Sequence, residues 1–423
     1  MPILTVFYIK ILLCSLFTAA ICWVALNPAL FKKWQQENEG IAFSLGFVAM
    51  RLLPWIGIFL IIGEDPRGDV PFFFYKAEAA KLGGFVYRDF WSYHAPLFAY
   101  IISLPVWLWH NSRAIVLLMV LMETAILWLT YQTYKEKTDN ALQLTFVYWL
   151  LPAAFVYILI DGQEEVWFWG AALLMWRYAR KHPQNYEVGL GVLFALALLT
   201  IKVTFIFFLP PLLVMVRKPI RMLLTMAAIG LPVLGFLYWQ IGDLFLMPIR
   251  HTEQLMTPNL FSVFRPFVEL FVTIDEKNSP MLNWIGLVFT ILIPSYMAWR
   301  SRHRHLTEVL PALFVATFVC MMLFQASAPG AYLIAYLVAV VFELIDLKSV
   351  WHVGVLLTLN WLTVVQPFVY VYNDQPSYTH FGMFTNPVYL FEYSLQVISV
   401  VCFFWILRRA YLHVVKAKLS VAV

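Results

Sequence analysis

The chain has 423 residues, of which 62% are hydrophobic and only 13% charged, with a mean hydropathy of +0.76. A water-soluble globular domain is nearer half apolar and a quarter charged, so these values exclude that class and point to a polytopic membrane protein. The net charge of +5 says less about partners than the placement of its cations does, because Lys and Arg set membrane topology.

In chain order, apolar runs long enough to cross about 30 Å of hydrocarbon fall at 4–26, 41–63, 113–131, 140–160, 187–201 with 203–216, 220–241, 281–299, 308–326, 331–347, 349–372 and 388–407. Shorter runs lie at 95–111 and 164–179. The first run has no basic leader and no small-residue cleavage site, so it is expected to be a retained span. Cys14, Cys22, Cys320 and Cys402 all sit in apolar runs without CxxC or Cys/His spacing, and predict neither disulfides nor a metal centre. Few polar stretches exceed about 30 residues, too little for a separate soluble domain of ordinary size.

The positive-inside rule chooses among the possible topologies. If 95–111 lies along the surface and every other run crosses, Lys32/Lys33, Lys135/Lys137, Arg177/Arg180/Lys181, Arg217/Lys218/Arg221, Arg300/Arg302/Arg304, Lys348 and Arg408/Arg409/Lys416/Lys418 share one side. Arg67, Lys76, Lys81, Arg88, Arg113, Lys202, Arg250, Arg265 and Lys277 fall on the other. The expected fold is therefore all-α, a single integral membrane domain over 1–423 with about thirteen spans, the N-terminus outside and the C-terminus cytoplasmic. Two long extracytoplasmic loops result, 64–111 and 243–280. The "IDGQEEV" turn, the "TIKVT" break at Lys202 and the "QASAPGAY" turn near Ala328 join them on the outer face. In the first loop, Tyr75–Leu82 reads as about two helical turns stopped by Gly83-Gly84, with Tyr75, Ala79 and Leu82 on one face. Pro96–Trp109 is apolar with aromatics at both ends and suits a second helix lying in the interface.

An acidic residue just after an early span, followed by "YKAEAAKLGGFVYRDFWSYHAPLF", resembles the first outer loop of the GT-C glycosyltransferases. These are integral membrane enzymes that use polyprenyl-phosphate-linked sugars. The "DGQEE" turn and the "LLTIKVTFIFFLPPLL" hairpin resemble that family's second outer turn and its lysine-containing helix break. The resemblance covers most of Trp55–Val216 and is nearest to polyprenol-phosphate-mannose-dependent and aminoarabinose-type transferases. The second half matches only in hydropathy and loop placement.

That chemistry requires a general base for the acceptor hydroxyl and cations for the departing phosphate. The resemblance implies Asp69 as the base, with Asp65 as rival; both also read as solvated carboxylates that stop a span. It implies that Asp89, with His94, orients the acceptor or holds a divalent ion (Mg or Mn); loop folding is the other reading of Asp89. Asp161 matches a turn facing the base, while Asp161, Glu164 and Glu165 also suit a helix N-terminus without any catalytic role. Lys202 interrupts an apolar stretch, where a charge costs about 3 kcal/mol unless partnered; a lipid phosphate and a snorkelling position are the two explanations. Tyr75, Arg88, Gln163, Glu164, Arg250, His251 and Arg265 complete the expected substrate contacts. Arg51 and Glu123, on adjacent spans, read as a structural ion pair.

The function implied by the resemblance is transfer of a sugar, with inversion, from a polyprenyl-phosphate donor to a hydroxyl of a glycan, lipid or protein. It would occur at the outer face of a bacterial cytoplasmic membrane, with membrane lipid around it and no nucleic-acid partner. A transporter or flippase would instead show repeated halves and charges at the bilayer midplane; no internal repeat is visible. A non-catalytic subunit of a glycan-assembly complex would keep the fold and lose the base. No nucleotide-binding motif is present, in keeping with a lipid-linked donor.

Overall fold

The computed structural model describes residues 3–250, 255–274 and 279–416. It is helical throughout, and the described residues contain one isolated β-bridge, Val86 to Phe90, and no strand. Among the described residues, eight helices are long and apolar enough to cross a membrane: Thr5–Leu26, Glu39–Ile61, Arg113–Tyr134, Pro219–Ile249, Ser279–Arg300, Leu306–Phe324, Val350–Tyr372 and Pro387–Lys416. A ninth crossing is made if Ala141–Trp149 and Pro152–Ile160, bent by 56° at their junction, count as one span. Glu187–Thr200, Val203–Met215 and Gly330–Leu344 are shorter apolar helices, and the sixteen-residue helix Val166–Lys181 packs among the spans and ends in basic residues.

Side-chain contacts sort the helix ends into two sets. At one end Arg113 meets Asp65, Gln163 meets Asp69, Lys202 meets Glu164 and the Met256 amide donates to the Ala326 carbonyl. At the other, Lys32 meets Asp139, Lys135 meets Glu39, Arg180 meets Glu136 and Tyr134 donates to Glu343. The polar turns assigned to opposite faces from sequence thus gather at opposite ends of the bundle.

The bend near Pro152 has a defined cause. Proline lacks an N–H, and Leu151 is extended, so carbonyls at the end of Ala141–Trp149 lose their helical donors. Arg51 supplies one: its Nη1 donates to the Trp149 carbonyl at 3.0 Å and to the Met50 carbonyl at 3.0 Å, inside a π-helical turn of its own span. Its Nε and Nη2 grip Glu123 in a two-pronged pair at 2.6 and 2.9 Å, and both side chains are fully buried. The ion pair expected from sequence is therefore a staple across a helix break.

The first surface helix runs Val70–Lys81, starting five residues before Tyr75, because Pro71 is harmless in a first turn. Its buried face is Val70, Phe73, Ala77 and Ala80 together with Lys76, while Tyr75 and Leu82 are exposed. The expected stripe of Tyr75, Ala79 and Leu82 is thus not the packed one; the added turn brings Val70 and Phe73 into register with Ala77 and Ala80. The second, Phe98–Leu108, has eleven residues, about 16 Å of rise and too short to span. Lys81 Nζ ties the two together through the Val106 carbonyl at 3.1 Å.

Candidate functional site

Two glycine turns set the geometry. Gly68 has φ +60, and a Cβ there would meet Asp161 Cβ at 2.9 Å; Gly162 has φ +63, and its Cβ would meet Val70 Cγ2 at 2.4 Å. Each turn is pressed into the other, and each needs the left-handed conformation that glycine adopts without penalty. The interlock sets Asp69 at the N-terminus of the first surface helix, where its carboxylate makes no capping bond. It turns instead to Gln163, whose Nε2 donates to Oδ2 at 3.0 Å.

Lys202 is fixed by a helix break. Glu187–Thr200 ends at Ile201, and Lys202 is extended before a 3-10 turn begins at Val203. The carbonyls left free at that end are claimed by the first loop, with the Ala95 amide on Ile201 at 3.2 Å and the Leu97 amide on Leu199 at 2.9 Å. Lys202 Nζ then lies 2.7 Å from Glu164 Oε1, 2.6 Å from Glu165 Oε1 and 5.1 Å from the centre of the Tyr332 ring. Its burial is thus compensated by two carboxylates of the protein, a partnership that neither sequence explanation contained.

His94 completes the cluster, with Nε2 at 2.9 Å from Glu164 Oε1 and its ring stacked on Phe98 and edge-on to Phe73. Burial holds the imidazole down to about 4 despite the pull of Glu164, so it is neutral near pH 7. Burial opposes charge on Glu164 too, but Lys202 and His94 overcome it and hold the carboxyl well below the usual range. Glu165 goes the other way, pushed up to about 7 by burial and by Glu164. Lys202 keeps its proton well above the usual range, the two glutamates outweighing burial. Glu164 Oε2, Glu165 Oε2 and His94 Nδ1 are buried without a hydrogen-bond partner.

Asp69, His94 and Lys202 all line one cavity of about 440 Å³, with Tyr93, Gln325 and Tyr332. Beside it lies an apolar groove of about 340 Å³ between Glu187–Thr200 and Pro219–Ile241, lined by Leu198, Leu199, Leu234 and Leu237. Val203 and Pro248 border both spaces.

The other sequence candidates divide. Gln163 and Glu164 reach the cavity through Asp69, Lys202 and His94. Asp161 stands against Gly68, and burial and neighbouring Asp69 push its carboxyl up to about 6, against the pull of Lys10 and Arg67. Asp65 is exposed and paired with Arg113 at 3.2 Å, outside the cavity lining. Tyr75, Arg88 and Asp89 are exposed and also outside it. Asp89 closes its own loop by accepting from the Phe85 amide and from Arg88, which together hold its carboxyl down to about 2. Arg265 pairs with Glu269 at 2.6 Å and borders a separate small pocket. His251 and the side chain of Arg250 lie outside the described residues.

The Asp89 and His94 pair expected to orient the acceptor or hold a divalent ion is engaged by protein groups, His94 Nδ1 excepted. Both oxygens of Asp89 are engaged by Arg88 and the Phe85 amide, and His94 Nε2 is engaged by Glu164. Among the described residues no group of three or more His, Cys, Asp or Glu side chains could hold a metal.

Lys76 is the residue that sequence reasoning passed over. It is 2% exposed, and its ammonium lies 4.5 Å from the Trp91 ring centre and 5.9 Å from that of Phe73. Burial lowers it to about 8, against the attraction of Glu164 and Asp69. Its position one residue beyond the predicted helix start hid it, because the true register puts 76 beside 73 and 77. Gln325 and Tyr332 fall in the "QASAPGAY" turn, which sequence placed on the outer face without singling out a residue.

Comparison with protein-family models, curated proteins and solved structures finds no match for this chain.

Proposed function

We propose that the chain is a membrane glycosyltransferase of the GT-C type, moving a sugar from a polyprenyl phosphate to an acceptor hydroxyl at the extracytoplasmic face. The observation that carries the reading is the pairing of two spaces: a polar cavity holding Asp69 and Lys202, and an apolar groove bordering it at Val203 and Pro248. A lipid-linked sugar has two such parts, a polar head and an isoprenoid tail. In this reading the Asp69 carboxylate takes the acceptor proton as that oxygen attacks the anomeric carbon. The bond from that carbon to the phosphate oxygen breaks, and polyprenyl phosphate departs. Gln163 holds Oδ2 of Asp69, leaving Oδ1 for the acceptor hydroxyl. Lys202 has a third N–H beyond those directed at Glu164 and Glu165, and donates it to the leaving phosphate.

The same reading assigns about thirteen crossings, counting the shorter helices as spans inside the bundle. The segregation of acidic, aromatic turns to one end and basic turns to the other supports it. Cysteines placed in the 64–111 loop are expected to react with a membrane-impermeant thiol reagent from outside, and those at 135–140 to stay unlabelled; the reverse pattern overturns the topology. Titration with a polyprenyl phosphate tests the site itself. Lys202→Met is expected to weaken binding about ten- to a hundredfold, the worth of one charge-assisted hydrogen bond. Unchanged affinity would remove Lys202 from the donor site.

A further inference from the structure

The end of the bundle opposite the cavity carries a second concavity that the proposed reaction does not use. It measures about 180 Å³ and forms where the turns at 183–186, 215–217 and 302–307 meet. Arg217, Arg302, His303, Arg304 and His305 all line it. Arg304 builds the wall: its Nε pairs with Glu308 at 3.2 Å and its Nη1 donates to the His413 and Val414 carbonyls at 2.7 and 2.9 Å. Arg217 and Arg302 are exposed and form no ion pair with any described carboxylate. Two exposed guanidinium groups without a carboxylate partner among the described residues thus line a formed hollow.

A second feature locates the hollow relative to lipid. The Arg302 guanidinium lies over the Trp299 ring at 5.6 Å, and the Trp299 and Tyr296 rings lie tilted with centres 6.0 Å apart, both being about half exposed on the last turns of Ser279–Arg300. Exposed Trp and Tyr at the end of a span sit at headgroup level, and basic pockets between spans at that level accept anionic headgroups. Arginine's planar fork matches phosphate oxygens two at a time. We propose that this pocket binds a phosphate ester, supplied by the headgroup of an anionic phospholipid at the face opposite the catalytic cavity.

The test uses the full chain purified in a neutral detergent, with bound lipid counted by native mass spectrometry. Phosphatidylglycerol is expected to be retained in preference to phosphatidylcholine, and Arg217→Gln with Arg302→Gln to weaken that retention about tenfold or more. Because removing cations can disturb topology, Arg217→Lys with Arg302→Lys serves as the second variant: it keeps both charges and loses the fork, so an intermediate loss is expected. Full competition by sn-glycerol 3-phosphate would uphold the phosphate-ester site with a free ester as its source. Equal retention of phosphatidylcholine, or unchanged phosphatidylglycerol retention in both variants, would overturn the proposal. Neither outcome bears on sugar transfer at the far end.

Discussion

Two buried charge clusters in this protein use similar residues toward different ends. The Arg51–Glu123 pair, within the spans, is nearly saturated: four of the guanidinium's five N–H groups are engaged, and both Glu123 carboxylate oxygens accept from it. Neither residue lines the polar cavity or the apolar groove beside it. The cluster of Lys202, Glu164, Glu165 and His94 is nearly as buried, yet it leaves three polar atoms without partners and opens through Lys202 and His94 onto the cavity. A closed set of charges holds helices together; an open one is poised to be completed by a ligand. Burial alone does not separate the two, and hydrogen-bond completeness does.

The contrast can be broken by removing the cation from each. Arg51→Met strands Glu123 and the Trp149 carbonyl with no water to replace the donors. It is expected to cost about 3–5 kcal/mol, read as a large fall in the thermal midpoint in detergent, with Arg51→Met/Glu123→Leu recovering much of it. Lys202→Met is expected to cost less, about 1–3 kcal/mol, because Glu164 and Glu165 can take protons through the adjoining cavity. Without the cation two buried carboxyls face each other with nothing to stabilise their charge, so the variant is expected to be most stable in acid and to lose stability as pH rises. Equal losses for the two variants would erase the distinction between closed and open clusters.

Asp161 sharpens it further. Its carboxyl is raised from 3.8 to about 6, so the stability it contributes is complete below the lower value and lost as pH rises through the upper one. Asp161→Asn is therefore expected to be more stable than the parent by about 1–3 kcal/mol at about pH 7.5, read as a higher thermal midpoint, and equal to the parent at about pH 4. A variant that tracks the parent across the whole range would show that the turn is too well hydrated for this effect. Asp65→Asn should change least, by under about 0.5 kcal/mol, since its pair with Arg113 is solvent-exposed and such pairs contribute little.

Much of this was legible in the sequence because lipid imposes strict rules. Hydropathy marked the long helices, and cation placement sorted the turns into the two sets that the structure gathers at opposite ends. Asp69, His94 and Lys202 were all named, and all line one cavity. What sequence could not supply was register and pairing. The surface helix begins at Val70, and that one extra turn buries Lys76 and exposes Tyr75. Asp89 and His94 lie close in sequence but are engaged by different neighbours, because the left-handed Tyr87 and the Arg88–Asp89 pair close a separate loop. Lys202 looked unpartnered because its carboxylates lie 37 and 38 residues away, at a separation no local pattern reveals. The interlocked glycines at 68 and 162 carried a visible turn signal, while their mutual contact exists only in three dimensions.

The central claim is that Asp69 acts as the base beside a donor held by Lys202. The direct measurement is single-turnover transfer from a polyprenyl-phosphate sugar by Asp69→Asn, with donor affinity measured on the same preparation. Asparagine keeps the size of aspartate and can still meet Gln163 after an amide flip, so affinity should change little. Transfer should fall about 10²–10⁴-fold, the usual worth of a positioned general base. Near-normal transfer by Asp69→Asn, with binding intact, would contradict the role given to this carboxylate.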